Sequence, residues 1–433
     1  MKNPFLLDFQ ARGLLNQVSS PAQDGWPTLD ERLSQGPITA YIGFDPTAAS
    51  LHVGSLLQIM NLARLQRAGH TPIAIVGGGT GLIGDPSGKA SERSMLSMEQ
   101  LAANVHGLRA QLGRYLNFSG ANAAQLINNA EWLCELRLLD FLRDIGKLFS
   151  INQMVVRDSV KQRLEAREQG ISYTEFSYAL LQAYDFVVLN ERLGCELQMG
   201  ASDQWGNITD GIDLIRRLRR KPAYGLTSPL VTKPDGSKFG KSESGNVWLD
   251  PELTRPFDFH QFWLNQGDVE ALKYLRFFTF VEIEEIDLIA QQSAAEPQKR
   301  IAQKRLADEV TGFVHGQEAL RSALRAGAVL FDGGDLKALT AHELSDAFAQ
   351  APRSALPKTA LGGTDAGLVS VVAASGLEPS RGRARSAVES GAISINGVLC
   401  TDTARVLTSA DILAGDFIVL RRGKKSYHVL ALA

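Results

Sequence analysis

Cysteine is scarce in this chain: Cys134, Cys195 and Cys400 are the only three in 433 residues, and no C-x-x-C pair occurs. That supports neither a disulfide framework nor a zinc site and implies a reducing setting, most simply the cytoplasm. Apart from His52, the histidines fall at no metal-ligand spacing, so no protein-bound metal is expected. Long apolar runs are missing too. Nothing approaches the ~18 uninterrupted apolar residues of a membrane span, which argues against a membrane partner. The opening MKNPFLLDFQ carries a short apolar patch cut by Asp8, without a small-residue cleavage site, so no signal peptide is expected. Internal repeats are lacking, which excludes solenoid and propeller arrays. Net charge is only −2, but it is unevenly spread. Residues 366–433 hold eight Lys/Arg and five Asp/Glu, a balance of +3 that leaves −5 for the rest. A basic tail on an acidic body suits a polyanionic partner.

What is present is enough for two or three domains. Residues 39–44 (TAYIGF) alternate small or polar with apolar side chains and read as a strand. Asp45-Pro46-Thr47 breaks it, and Ser50 is placed to cap a helix running from about Leu51 to Gly69. His52 and Gly54 then fall in the first helical turn, just past a strand's carboxyl end, where open α/β sheets bind ligands and helix N–H groups favour anions. Glycine in a helix costs about 1 kcal/mol against alanine. Gly54 therefore serves either close packing or a ligand lying on the backbone. A buried strand at 72–76 and the loop GGGTGLIGDPSGK follow, giving the strand–helix–strand order of a parallel sheet. Gly79, Gly81 and Gly84 match G-x-G-x-x-G, but a turn, not a helix, follows, so a dinucleotide site is not supported.

Further along, Tyr178, Gln182 and Asp185 share one face of a predicted helix at i, i+4 and i+7. This polar stripe among apolar neighbours either faces solvent or lines a pocket. Gln198, Asp203 and Gln204 bunch at the end of the next strand, as site residues or as a helix cap. Lys238 and Lys241 stand three apart in a Gly/Ser loop, an arrangement suited to a polyphosphate whose charge grows in the transition state. Residues 253–350 are helical in pattern, 351–367 are rich in Pro, Gly, Ala and Thr and read as a linker, and 368–433 give two helices and a β-rich end.

Together these stretches resemble one family. DPTAASLHVGS resembles the class I aminoacyl-tRNA synthetase signature HIGH, and KFGKS its partner KMSKS, in the right order and at the right separation. The Y-x-x-x-Q-x-x-D helix, the glycine-rich loop and GASDQWGN look like the bacterial tyrosyl-tRNA synthetase family, and the tail resembles the RNA-binding domain that ends many of its members.

The resemblance implies an α/β protein: a Rossmann-like parallel-sheet catalytic domain (1–252), a helical anticodon-binding domain (253–350) and a small α+β RNA-binding C-terminal domain (368–433). It implies a homodimer joined around residues 131–154. L-Tyrosine, ATP and the tyrosine tRNA would be the partners, magnesium would come mainly bound to ATP, and no organic cofactor is expected. By resemblance, Tyr41 and Asp185 bond the substrate phenol. Asp85, Tyr178 and Gln182 hold its ammonium group with Thr80 nearby, and Gln198 lies near its carboxyl end. Gly43, Asp45, His52, Gly54, Gly200, Asp203, Gln204 and Ser242 line the nucleotide part, with Gly54 making room for adenosine. Lys89, Arg93, Lys238 and Lys241 embrace the pyrophosphate and, with His52, form the catalytic set. Arg381, Arg383 and Arg385 are the expected RNA phosphate contacts. The family's second signature histidine is Ser55 here, which can donate one hydrogen bond but carries no charge. Two rivals are disfavoured. A tryptophanyl enzyme would lack the Tyr41/Asp185 pair and the tail, and an inactive RNA-binding relative would have shed some of His52, Asp85, Lys238 and Lys241.

Overall fold

Residues 39–44 do form a strand, β2 (Thr39–Phe44), and it lies in the middle of a six-stranded sheet. Its companions are β1 (Gln17–Val18), β3 (Thr71–Val76), β4 (Gln125–Asn128), β5 (Cys195–Ala201) and β6 (Tyr224–Ser228), in the order β1-β6-β5-β2-β3-β4. All neighbours are parallel except β1 with β6. The computed structural model describes residues 1–86, 96–157, 160–161, 164, 170–232, 239–242, 245–331, 334–423 and 426–433, with backbone alone at 241–242. Lys89, Arg93 and Lys238 lie outside the described residues.

The chain order within the sheet matters for function. From β2 it moves outward to β3 and β4, then returns to the opposite side of β2 with β5 and β6. The reversal opens a crevice at the carboxyl ends of β2 and β5, the usual ligand position in such sheets. A register shift between Thr39 and Ala40 sets Tyr41 directly beside Gln198. Strand β3 is a run of apolar residues because both its faces are covered. One core cluster on this sheet includes Tyr41, Ile73, Phe186, Val188, Ile208 and Ile215.

The helix Tyr173–Leu193 starts where the Ser172 side chain accepts from Glu175 N–H, and it stops at Gly194 in the left-handed region (φ 62°). β5 follows at once. Expected start signals failed at one point. Ser50 does not cap the helix Val53–Arg67; its Oγ donates to Leu51 O and accepts from Gln111 Nε2, both at 2.8 Å. The cap is His52, whose Nδ1 accepts from Gly54 N–H at 3.0 Å.

The chain divides into two compact units, Met1–Thr254 with Phe262–Val310, and Arg255–Gln261 with Thr311–Ala433. The stretch 253–350, expected as one helical domain, is thus shared between them. In the second unit a five-stranded sheet has the order β11-β10-β12-β13-β9, from β9 (Arg353–Leu356), β10 (Ile393–Ile395), β11 (Val398–Leu399), β12 (Phe417–Arg422) and β13 (Ser426–Leu432). β9 corrects the linker expectation. Residues 353–356 run parallel to β13, with Leu356 opposite Leu432. Alternation along β12 serves two cores: Ile418 and Leu420 join Leu368, Val372 and Val388, while Val419 joins Leu339, Leu344 and Phe348.

Candidate active site

The crevice between β2 and β5 holds a cavity of ≈ 170 Å³. The ends of the two strands supply Tyr41, Gly43, Asp45, Gln198 and Gly200. The helix Tyr173–Leu193 adds Tyr178, Gln182 and Asp185, so its polar stripe faces a pocket and not solvent. Thr80, Asp85 and Gln204 come from the loops.

At the deep end Asp185 is buried and tightly held. Trp132 Nε1 donates to its Oδ1 at 2.7 Å, and Asn129 Nδ2 donates to Oδ2 at 2.9 Å. Burial pushes its carboxyl up to about 7, against the pull of those two donors and with a smaller push from Asp45. Asn129 also donates to Thr80 Oγ1 (3.0 Å), and its own Oδ1 accepts from Gly79 N–H (2.8 Å), which ties the glycine-rich loop to Asp185. Tyr41, on the adjacent strand, is 1% exposed, and its hydroxyl has no hydrogen-bond partner among the described residues. Burial, then the Asp185 charge, raises the Tyr41 phenol well above its ordinary range. A buried hydroxyl without a partner costs about 1–3 kcal/mol, so the pocket is built for something that supplies one. Gln198 Oε1 is likewise unpartnered among the described residues.

Nearer the mouth, amide groups run out from Asp85. Gln204 Nε2 donates to Asp85 (2.8 Å), Gln182 Nε2 to Gln204 Oε1 (3.3 Å) and Asn207 Nδ2 to Gln182 Oε1 (3.1 Å). Asp85 thus gives this end of the cavity a carboxylate, an acceptor suited to a bound ammonium. Asp203 stands outside the pocket wall and is exposed.

His52 and Gly54 lie beside the cavity, not in its wall, at the start of the helix Val53–Arg67. With Nδ1 accepting, the neutral ring carries its proton on Nε2 and can donate from there. The ring packs over Gly54. A Cβ built on that residue would sit 2.6 Å from His52 Cε1, so the structure gives Gly54 a reason in packing that does not need a ligand. The second signature stretch is stitched to the first. Val53 N–H donates to Val247 O (2.9 Å), Val247 N–H to Gly240 O (2.8 Å) and Leu249 N–H to Leu51 O (2.9 Å), with a bridge between His52 and Trp248. Lys241 and Ser242 form β7, paired with β8 (Gly245–Asn246).

Sequence reasoning missed Asn129 and Trp132. They sit in and just after a turn, and nothing local marks a turn asparagine as the partner of a carboxylate 56 residues on. Arg381, Arg383 and Arg385 lie exposed on the helix Arg381–Glu389 of the second unit.

Comparison with known proteins decides the family. The profile of class I tRNA synthetases (W and Y) matches residues 33–332, and that of the tyrosine–tRNA ligase SYY-like C-terminal domain matches 344–430. The tyrosine–tRNA ligase of Roseiflexus castenholzii is 52% identical over 422 residues, 97% of each chain. This chain belongs to the tyrosine–tRNA ligases. The Geobacillus kaustophilus ligase is 49% identical over 99% of each chain. A C-terminally truncated mitochondrial tyrosyl-tRNA synthetase from Aspergillus nidulans matches in structure with a TM-score of 0.67 and 31% identity, over 76% of this chain and 95% of its own. A tryptophanyl-tRNA synthetase from Encephalitozoon cuniculi, 14% identical with a TM-score of 0.52, shares the fold. Among the described residues no helix of this ligase is long and apolar enough to cross a membrane.

Proposed function

We propose that this ligase activates tyrosine in the β2–β5 crevice, with the phenol at Asp185 and Tyr41. The observation that carries the reading is that pair: a buried carboxylate held by two donors beside a buried, unpartnered hydroxyl. A tyrosine phenol donates a hydrogen bond to Asp185 and accepts one from Tyr41, which gives the Tyr41 hydroxyl its missing partner. The ammonium group then meets Asp85, Tyr178 and Gln182, with Thr80 close by. The carboxylate lies toward Gln198 and attacks the α-phosphorus of ATP. Its new P–O bond forms as the bond to pyrophosphate breaks. No side-chain nucleophile is needed, so catalysis is positioning plus stabilisation of the leaving pyrophosphate. Gly43, Asp45, Gly200, Asp203, Gln204 and Ser242 line the nucleotide side. His52 donates from Nε2, and Lys89, Arg93, Lys238 and Lys241 carry the pyrophosphate charge. In the second step the 3′-terminal adenosine hydroxyl of the tRNA takes the tyrosyl group, and AMP leaves. Magnesium would arrive on the ATP phosphates, whose oxygens are the ligands it prefers.

Tyrosine-dependent exchange between ATP and pyrophosphate tests this assignment. Exchange with tryptophan only, or none, rejects it. The pH dependence is a second check. Asp185 must be ionised to accept the phenol proton, and its carboxyl is raised to about 7. The KM for tyrosine therefore falls as pH rises through about 7 and is flat above, a dependence that Asp185→Asn removes.

We further place this ligase in a reducing cytoplasm, as its three free cysteines suit, and as a homodimer. Leu138, Leu139, Leu142, Ile151 and Val156 are exposed within one short stretch, an apolar concentration that association would cover. Leu139→Asp should shift the mass seen by light scattering from dimer to monomer; an unchanged dimer rejects that interface.

The 253–350 helices are assigned to the anticodon and the second unit's small sheet domain to tRNA phosphates. Removing Arg381, Arg383 and Arg385 together should weaken tRNA binding and lower the slope of log K against log salt by about 3. An unchanged slope rejects those contacts.

A further inference from the structure

The stretch Lys238–Ser242 is glycine, serine and lysine apart from one residue, Phe239, and that residue is 5% exposed. Its ring lies 4.9 Å from the Tyr274 ring and 5.7 Å from each of those of Phe262, Trp263 and Phe278. Trp263, Tyr274 and Phe278 are themselves fully buried. A solvated surface loop has no use for such a cage. Immediately after Phe239, Gly240 turns at φ 86°, where a Cβ would meet Val53 Cγ2 at 2.6 Å, so the chain is laid directly on the start of the His52-capped helix.

The cage is itself fixed to that same helix. Two buried arginines hold the end of the helix Asp268–Phe278, which carries Tyr274 and Phe278. Arg64 Nη1 donates to Phe277 O at 3.0 Å, and Arg12 Nη2 donates to Val281 O at 3.0 Å. Arg64 belongs to the helix Val53–Arg67. One rigid element therefore touches the lysine loop at its first turn and braces the loop's aromatic cage near its last.

We infer that Phe239 is a positioning residue for the pyrophosphate-side step: its ring anchors the backbone that continues through Gly240 into Lys241. This rests on the proposed role of Lys241. The tyrosine half of the crevice makes no use of Phe239, so the effect is confined to adenylate formation.

The test compares Phe239→Ala and Phe239→Met in the full-length enzyme by pre-steady-state kinetics. For Phe239→Ala, tyrosyl-AMP formation is expected to slow by about 10²-fold, the scale of a ~1 Å misplacement. Tyrosine Kd and the rate of tyrosyl transfer from preformed adenylate to tRNA should stay unchanged. Phe239→Met refills the cage with an apolar side chain and should recover most of the lost rate. Should Phe239→Ala not fold, Phe239→Ser and Phe239→Leu carry the same comparison. Unchanged adenylate formation, equal loss in all three measurements, or no recovery with methionine overturns the inference. A wild-type enzyme without tyrosine-dependent exchange would instead overturn the functional reading itself, whatever position 239 does.

Discussion

Asp185→Ala is expected to lose about 10²-fold or more in kcat/KM for tyrosine activation, because a hydrogen bond to a buried charge contributes about 1.5–3 kcal/mol and its donors are left unpaired. Trp132 Nε1 and the substrate hydroxyl would lose their acceptor, and Asn129 Nδ2 would lose one of its two. Phenylalanine gains little in exchange. The cavity left behind is lined by those same stranded donors and the Tyr41 hydroxyl, so it stays hostile to an apolar ring. Exchange assays with each amino acid separate the two effects. Tyrosine activation at the wild-type rate would remove Asp185 from the phenol site.

Gly54→Ala tests a different kind of requirement. A Cβ there would lie 2.6 Å from His52 Cε1 and 2.8 Å from Nδ1, so the ring must leave its cap position. Losing the cap costs about 1 kcal/mol, and alanine in place of glycine returns about as much helix propensity, so stability should hardly move. The ATP-dependent step should nevertheless fall by about 10²-fold with tyrosine binding intact, since the Nε2 donor has been displaced. His52→Ala decides why. If the ring is what the methyl group strikes, the double variant is no worse than the poorer single one. If the methyl group strikes adenosine, the losses add.

Local pattern carried much of the candidate site and some of the fold. The alternation in residues 39–44 marked the strand, and the i, i+4, i+7 spacing put Tyr178, Gln182 and Asp185 on one face. Both signals arise from periodicity within a single element, so they need no knowledge of partners. The misses share the opposite property. Asn129 carries no local mark of its partner, Ser50 suits a cap but is claimed by Gln111 from a distant helix, and residues 353–356 suit a linker but pair with β13. His52 as a cap is a special case, because a histidine ring folding back on a glycine is outside the usual cap chemistry.

The stitching of Val53 to Val247 and of Val247 to Gly240 bears on how the enzyme comes into being. The first of those bonds joins stretches distant in sequence, so its chain-closure entropy is met only after the intervening chain has been made. The lining of the proposed tyrosine pocket ends at Gln204, whereas the proposed nucleotide side waits for residues beyond 239. During synthesis the chain should therefore hold every residue of its proposed amino-acid site before those of its proposed nucleotide site. In the mature enzyme, the amides of Val53 and Val247 should report opening of the nucleotide half while the phenol site remains closed.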